Sequence, residues 1–282
     1  MMSIENKDYF KNDIFDSIIK PPTSSKFDLI GLKFPSNQDM YFMAKWHEIF
    51  DRYTSARLFL REALKDDLND WKHWFNLSEK SDINNYFMIK LQSEMYETAL
   101  ISYNILVDLS WTITYVSAEY ILYRYDNKGN IINRDEILTM SPIEEAYRIL
   151  RNVESLVTSP TSEQSQFTYL KSMCPDFATA IDFITEFWSH FCNSNIRSLY
   201  NFIKHKGKPL YKECNDYNPS SFFGITIGDE SYPSDIRDVQ KIVNLKDGII
   251  ELIDFDDNQL FPYLSSLIAE LKRVIDPSPM IL

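Results

Sequence analysis

Apolar side chains recur every three or four residues along most of the chain, which is the spacing of an α-helix that buries one face. The first such stretch predicts a long helix over residues 39–66. The second predicts a helix over residues 83–123, and Ser81 and Asp82 supply an N-cap in front of it. A helix of roughly 40 residues spans about 60 Å, so we expect a kink or break near its β-branched run WTITYV.

The same helical pattern continues through the rest of the chain in shorter segments. It predicts helices over residues 141–156, through Leu170, from Pro175 to Gly207, and over residues 260–275. Gly207 followed by Pro209 is typical of a helix end, and Asn193-Ser-Asn is a point at which the preceding helix could be interrupted.

Strand signals are confined to one region near the C-terminal end. The segment SFFGITIG, residues 221–228, is typical of a strand. Residues 235–253 fit either a helix or a hairpin around Lys-Asp-Gly, and the helix is the favoured reading. We therefore predict a mainly α multi-helix bundle with a small β-hairpin or short strand addition. Residues 1–38 are predicted to form an N-terminal arm, and residues 39–282 a single helical domain.

Composition excludes several classes of protein. Only six glycines are present, and none is arranged as a phosphate-binding loop, a dinucleotide fingerprint or a Gly-x-Ser-x-Gly elbow. The three cysteines lack metal-site spacing, and we expect no metal and no cofactor. The N-terminus lacks the pattern of a signal peptide, and the most apolar segment is interrupted by Asp108 and Glu119. These features predict a cytoplasmic protein that does not enter a membrane.

The charge is strongly acidic overall but is reversed in one segment. The chain has 41 Asp and Glu against 29 Lys and Arg, a formal net charge of -12, which opposes indiscriminate binding to nucleic acid. From Phe187 to Lys212 there is no carboxylate, where the average density predicts roughly four. The candidate phosphate-binding residues lie there: Lys204, Lys206, Lys208 and Lys212. A phosphate, a nucleotide or an acidic protein surface is the expected partner.

Three residues in this segment carry candidate chemistry. Arg197, Asn201 and His205 recur at a spacing of four, so they follow one side of the predicted helix. They provide a fixed cation, an amide and a group that titrates near neutrality, which together could cleave RNA without a metal. His205 lies in the last turn, where the helix dipole favours its protonated form, so it suits a general acid.

Two simpler interpretations of the same predicted helix remain open. Its polar stripe also includes Asp182, Glu186 and His190, and such a stripe is most often just the solvated face of an amphipathic helix. Those three residues could also bind a divalent ion, although a surface ion pair is more common for ligands on one helix.

An arginine followed by a histidine near the end of one helix of an α bundle resembles the motif of HEPN (higher eukaryotes and prokaryotes nucleotide-binding) domains. The segment YNFIKHKG, residues 200–207, is similar to the later half of that motif in some variants. Seven residues separate Arg197 from His205, one more than the usual upper limit of the family, and Ser198 stands where Asn or Asp often follows the arginine. The resemblance implies a helical bundle that often forms homodimers, and often a metal-independent ribonuclease of a toxin or antiviral defence system.

Two functional hypotheses follow. The first is a HEPN-like protein that acts on RNA, as an endoribonuclease with Arg197, Asn201 and His205 in its active site. The second is a non-catalytic HEPN-like module whose lysines dock a nucleotide or an acidic partner.

Overall fold

The structure is a computed structural model of the chain. It describes residues 37–65, 81–124, 166–215, 226–227, 230–231 and 241–275. The α-helices in chain order are α1 (Asn37–Ala63), α2 (Ser81–Arg124), α3 (Gln166–Met173), α4 (Ala178–Phe191), α5 (Asn195–Lys206), α6 (Lys212–Asn215), α7 (Leu245–Phe255) and α8 (Phe261–Ile275). A 3-10 turn, Pro175–Phe177, leads into α4, and a π-helical segment, Asp256–Leu260, connects α7 to α8.

Four two-residue strands make up the β structure of the described residues. The strands β1 (Leu210–Tyr211) and β4 (Ile242–Val243) pair in parallel, with Leu210 opposite Ile242. The strands β2 (Thr226–Ile227) and β3 (Glu230–Ser231) pair antiparallel, with Thr226 opposite Ser231. The prediction of a mainly α protein with a small strand addition is confirmed.

The chain divides into two compact units, each assembled from separate stretches of sequence. The first contains Ser55–Tyr103 and Asn195–Asp257, and the second contains Asn104–Ser194 with the helical residues before Ser55 and after Asp257. The single domain predicted over residues 39–282 stays a prediction.

The core of the first unit is formed where α2 and α7 approach each other closely. A Cβ atom at Gly248 of α7 would lie 2.7 Å from the hydroxyl oxygen of Tyr96 on α2, so only glycine leaves room for that side chain. Asn244 caps α7 by accepting a hydrogen bond from the backbone amide of Asp247 at 3.1 Å. The carboxylate of Glu213 accepts from the amides of Leu245 and Lys246, which satisfies two further donors of the first turn.

The second unit is built on the packing of α4 against α8. Ile184 of α4 and Leu264, Leu267, Ile268 and Leu271 of α8 are completely buried, at the helical spacing that gives each helix one apolar face. The aromatic ring of Phe187 stacks on that of Tyr263 with 4.0 Å between centroids. Pro175 opens the turn before α4, as the sequence predicts.

The predicted break at WTITYV does not occur, because α2 runs without interruption from Ser81 to Arg124. Every residue from Ser110 to Ala118 is buried, so tertiary packing outweighs the weaker helix propensity of the β-branched residues. Two hydroxyls of this segment form hydrogen bonds within the helix. Ser110 donates to the carbonyl oxygen of Val107 at 2.6 Å, and Thr114 donates to that of Ser110 at 2.9 Å.

Residues Asp82–Ala118 of α2 are long and apolar enough to cross a membrane by length and composition. The most apolar window of that segment is 78% buried inside the protein, as expected for the core helix of a soluble protein.

Other predicted boundaries fit the structure to within a few residues. Helix α1 covers most of the predicted stretch 39–66, α3 includes Leu170, and α8 matches residues 260–275. In the ambiguous region 235–253, Ile242–Val243 is a strand and residues 245–253 are helical, so Lys-Asp-Gly lies inside α7 rather than in a hairpin turn. The strand predicted at SFFGITIG is confirmed at Thr226–Ile227. The predicted helix 141–156 lies outside the described residues, as do the first 36 residues of the predicted arm.

Candidate nucleic-acid interface

The candidate site lies on α5, which is a separate helix rather than the end of one continuous helix from Pro175. Residues 192–194 form a turn after α4, at the interruption that Asn193-Ser-Asn indicates, and α5 begins at Asn195. Asp182, Glu186 and His190 therefore belong to α4 and to the second unit, whereas Arg197, Asn201 and His205 belong to the first.

Helix α5 is fixed by one buried face and by a glycine at its end. Ile196, Leu199 and Tyr200 are buried, which anchors the helix in the first unit. Gly207 follows the last helical residue with φ +108°, a conformation that side-chain-bearing residues rarely adopt, and its amide donates to the carbonyl oxygen of Phe202 at 3.2 Å. The helix end predicted at Gly207 is confirmed.

Asn201 and His205 occupy the side of α5 that faces away from its buried residues, and Arg197 lies at the edge of that side, next to the buried Tyr200. Asn201 and His205 are exposed and Arg197 is half-buried. From Arg197, Asn201 is displaced by about 40° around the helix and His205 by about 80°. Along the helix axis, eight residues separate the backbone positions of Arg197 and His205 by about 12 Å. The two groups are thus on one side of the helix, but their backbones are more than two turns apart.

An aromatic ring connects two cations of this helix. The guanidinium carbon of Arg197 lies 5.1 Å from the ring centroid of Tyr200, and the ammonium of Lys204 lies 5.8 Å from the same centroid. Both distances are in the range of a cation–π interaction. Sequence reasoning did not single out Tyr200. The signal was present, because an aromatic residue three positions after one basic residue and four before another contacts both on a helix.

A second ring on α5 contacts a cation from outside the acid-free segment. The ammonium of Lys241 lies 5.8 Å from the centroid of Phe202. Lys241 directly precedes β4, and its backbone carbonyl accepts from the amide of Leu210 at 2.9 Å, so the pairing of β1 with β4 brings it to α5. This lysine is far from α5 in sequence, and helical periodicity alone could not place it there.

The candidate phosphate-binding lysines fall into two groups. Lys204, Lys206 and Lys212 are exposed. The ammonium of Lys208 instead forms ion pairs with Glu94, and with Glu97 at 3.4 Å, both on α2. Since a phosphate would have to compete with these carboxylates, Lys208 contributes less positive charge to the surface than its sequence position indicates.

Glu97 lies at the buried side of this ion pair. It is only 9% exposed, and it accepts a hydrogen bond from the hydroxyl of Tyr211 at 2.9 Å. Burial raises the pKa of the Glu97 carboxyl, and Lys208 and Tyr211 offset that effect only in part. Burial, together with the charge of Glu97, also raises the pKa of Tyr211.

Glu94 has the opposite behaviour although it pairs with the same lysine. Its partial burial acts to raise its pKa, but Lys208 and Lys90 together outweigh that effect, so the pKa of Glu94 is lowered. The Lys90 ammonium lies 3.0 Å from the Glu94 carboxylate. The segment that follows α5 is therefore tied to α2 by ionic contacts and by the buried hydroxyl of Tyr211.

The alternative metal site on α4 gains no support from the described side chains. Lys171 of α3 forms an ion pair with Asp182, which is the simpler interpretation of that carboxylate. Within the ranges that the structure describes, no three His, Cys, Asp or Glu side chains are close enough together to hold a metal ion.

No family model, curated protein or solved structure shows significant similarity to the chain. The HEPN resemblance stays a prediction from the motif on α5.

Proposed function

We propose that the protein is a HEPN-like, metal-independent endoribonuclease that binds RNA along the exposed side of α5. The observation that carries the proposal is the composition of that side. Arg197, Asn201 and His205 follow it in order, Lys204 adds positive charge next to Arg197, and α5 itself contains no carboxylate. On a protein of net charge -12, such a surface favours a local contact with phosphates over general binding to nucleic acid.

In the proposed reaction, the 2′-oxygen of a ribose attacks the adjacent phosphorus atom, and the proton of its hydroxyl passes to solvent water, from which His205 is later reprotonated. The bond from phosphorus to the 5′-oxygen of the next nucleotide breaks, which leaves a 2′,3′-cyclic phosphate and a free 5′-hydroxyl. His205 donates a proton to the leaving 5′-oxygen as general acid. Arg197 stabilises the negative charge that develops on the phosphate, and Asn201 orients the phosphate through its amide.

The active form is a cytoplasmic homodimer in this proposal. The motivation is that the backbones of Arg197 and His205 are about 12 Å apart along α5. A second copy of α5 facing the first would bring additional cations and a second histidine to the same phosphodiester.

The test is incubation of purified protein with a mixed RNA pool, in a chelator and without added metal, followed by mapping of the cleaved ends. We expect cyclic-phosphate ends with the wild type and a loss of at least about 100-fold in cleavage rate for His205→Ala. His190→Ala is a matched control because it removes an exposed histidine from α4, and it should retain full activity. Cleavage that survives both His205→Ala and Arg197→Ala would rule out the proposed active site.

A second candidate function is RNA binding without cleavage. It is favoured by the contact of Arg197 with the ring of Tyr200, because that ring also contacts Lys204, whereas His205 has no part in this cluster. This function predicts salt-sensitive RNA binding that depends on Arg197, and intact RNA at every pH.

A further inference from the structure

The two cations that share a ring on α5 point to a more specific arrangement than a general positive patch. Arg197 and Lys204 are seven residues apart, so they are displaced from each other by only about 20° around the helix. Their backbones are separated by roughly 10 Å along the axis, yet both charged groups lie within 6 Å of the Tyr200 centroid, at 5.1 and 5.8 Å. The side chains therefore converge on the residue between them.

Tyr200 is suited to hold these side chains in place. It is only 8% exposed, so its ring is fixed by the core of the first unit. Free arginine and lysine side chains lose much rotational freedom when they bind a ligand, and a fixed ring that already contacts them reduces that loss. Two like charges brought to one ring also repel each other, and a bound anion would relieve that repulsion.

We propose that Arg197 and Lys204, organised by Tyr200, form one binding site for a single phosphate of the RNA backbone. The inference rests on the proposed function, because it takes RNA as the ligand. The planar guanidinium can donate two parallel hydrogen bonds to one phosphate, and the ammonium adds a point charge from the other side. Tyr200 is a positioning residue in this site. Lys204, rather than His205, binds the same phosphate as Arg197 before any cleavage takes place.

A shared site differs from a general cationic surface in the number of phosphates that Arg197 and Lys204 bind: one in the first case and two in the second. For single-stranded nucleic acid, the slope of log K against log salt concentration changes by about 0.7 for each phosphate neutralised. If Arg197 and Lys204 share one phosphate, replacing both with glutamine should reduce the steepness of this slope by about 0.7. If they bind two separate phosphates, the steepness should fall by about 1.4.

The experiment is a double-mutant cycle on the full chain, with a single-stranded 2′-O-methyl RNA oligonucleotide that cannot be cleaved through its 2′-oxygen. We expect Arg197→Gln and Lys204→Gln to weaken binding by about 5- to 10-fold each, and the double variant to be weaker by much less than the product of the two effects. In a Tyr200→Leu background the two effects should become independent, whereas Tyr200→Phe should keep them coupled. The pair Arg197→Gln with Lys206→Gln is the control, since Lys206 is about 180° around the helix from Arg197, and its effects should multiply.

The outcomes separate this inference from the proposed function. RNA binding with independent effects of Arg197 and Lys204, or a slope change near 1.4, overturns the shared site and leaves RNA binding by α5 intact. If the RNA does not bind, the proposed function is wrong, and the same cycle with inorganic tripolyphosphate tests the shared site alone. An absence of binding to both ligands overturns the shared site as well.

Discussion

Two arginines of the first unit are placed in opposite environments. Arg57 of α1 is completely buried, and its guanidinium lies 2.6 Å from a carboxylate oxygen of Asp256 and 3.4 Å from one of Asp257. Arg197 of α5 is half-buried, lies over the Tyr200 ring, and belongs to a helix without carboxylates. One arginine is enclosed with anions of the protein, and the other is half-buried on a helix that has no carboxylate of its own.

The difference indicates where the protein can bind an external anion. The charge of Arg57 is balanced inside the fold, and a ligand would have to displace buried carboxylates to reach it. Lys208 is an intermediate case, because it is exposed but already paired with Glu94 and Glu97. Lys204 and Lys206 differ from both, because they are exposed on a helix without carboxylates, and the following predictions test that comparison.

The largest effect is expected for Arg57→Ala. The substitution leaves Asp256 and Asp257 buried without their cation, which should lower the free energy of unfolding by about 3–5 kcal/mol. Urea denaturation followed by circular dichroism measures this change. Arg61→Ala, an exposed arginine on the same helix, is the control and should change stability by no more than about 0.5 kcal/mol. Similar losses for both variants would contradict the structural role of Arg57.

A smaller effect is expected for Gly248→Ala in the core of the same unit. The added methyl group would lie 2.7 Å from the hydroxyl oxygen of Tyr96, which is only 2% exposed and cannot easily move away. Overpacking of this kind costs about 1–3 kcal/mol, and the better helix propensity of alanine returns about 1 kcal/mol. We expect a net loss of about 1 kcal/mol in urea denaturation.

Removal of the Tyr96 hydroxyl provides the matched test of that contact. In a Tyr96→Phe background, Gly248→Ala should be less destabilising, because the closest atom is gone and the next one, the ring carbon Cζ, is 3.0 Å away. If Gly248→Ala is equally destabilising in both backgrounds, the Tyr96 hydroxyl does not lie against Gly248, and the close approach of α2 and α7 at this point is contradicted.

The next prediction concerns Glu97, which pairs with Lys208, and it depends on pH. Because burial raises the pKa of Glu97, the folded state holds its proton more tightly than the unfolded state does. Between the ordinary pKa of a glutamate and the raised value, stability should therefore fall as pH rises. Glu97→Gln removes this dependence but keeps an acceptor for the Tyr211 hydroxyl.

The measurement is the unfolding free energy of the wild type and Glu97→Gln at several pH values from 4 to 8. Relative to the wild type, the free energy of unfolding of the variant should increase by a few tenths of a kcal/mol up to about 1 kcal/mol as pH rises. Glu94→Gln is the control and should show the opposite trend, because the pKa of Glu94 is lowered. The same trend in both variants would mean that burial does not dominate at Glu97.

The sequence predicted much of the fold because its main signals are local. The spacing of apolar residues placed α1, α2 and α8, and Gly207 with Pro209 placed the end of α5. The predicted break in α2 was wrong because it relied on the propensity of residues 111–116, and burial of that whole segment depends on the rest of the fold.

The candidate site was predictable only as far as it depends on one helix. The spacing of Arg197, Asn201 and His205 placed them on one side of α5. The pairing of Lys208 with Glu94, which is 114 residues away in sequence, and the approach of Lys241 to Phe202 both depend on tertiary contacts. No local pattern could distinguish Lys208, which is paired with Glu94, from the other lysines of the segment.

The smallest effect on stability is expected for Arg197→Ala, which completes the comparison with Arg57. Its guanidinium contacts the Tyr200 ring but is only half-buried, and a cation–π interaction of a partly exposed cation contributes about 0.5–1 kcal/mol, part of which the better helix propensity of alanine offsets. The unfolding free energy in urea should therefore fall by about 0.5 kcal/mol or less, with Lys204→Ala as the matched variant on the same ring. A loss of more than about 2 kcal/mol would place Arg197 with Arg57 as a structural residue, since the loss of one contact of a partly exposed cation does not have so large an effect. Any change in RNA binding by the variant would then reflect the loss of the fold of α5 rather than the loss of a phosphate contact.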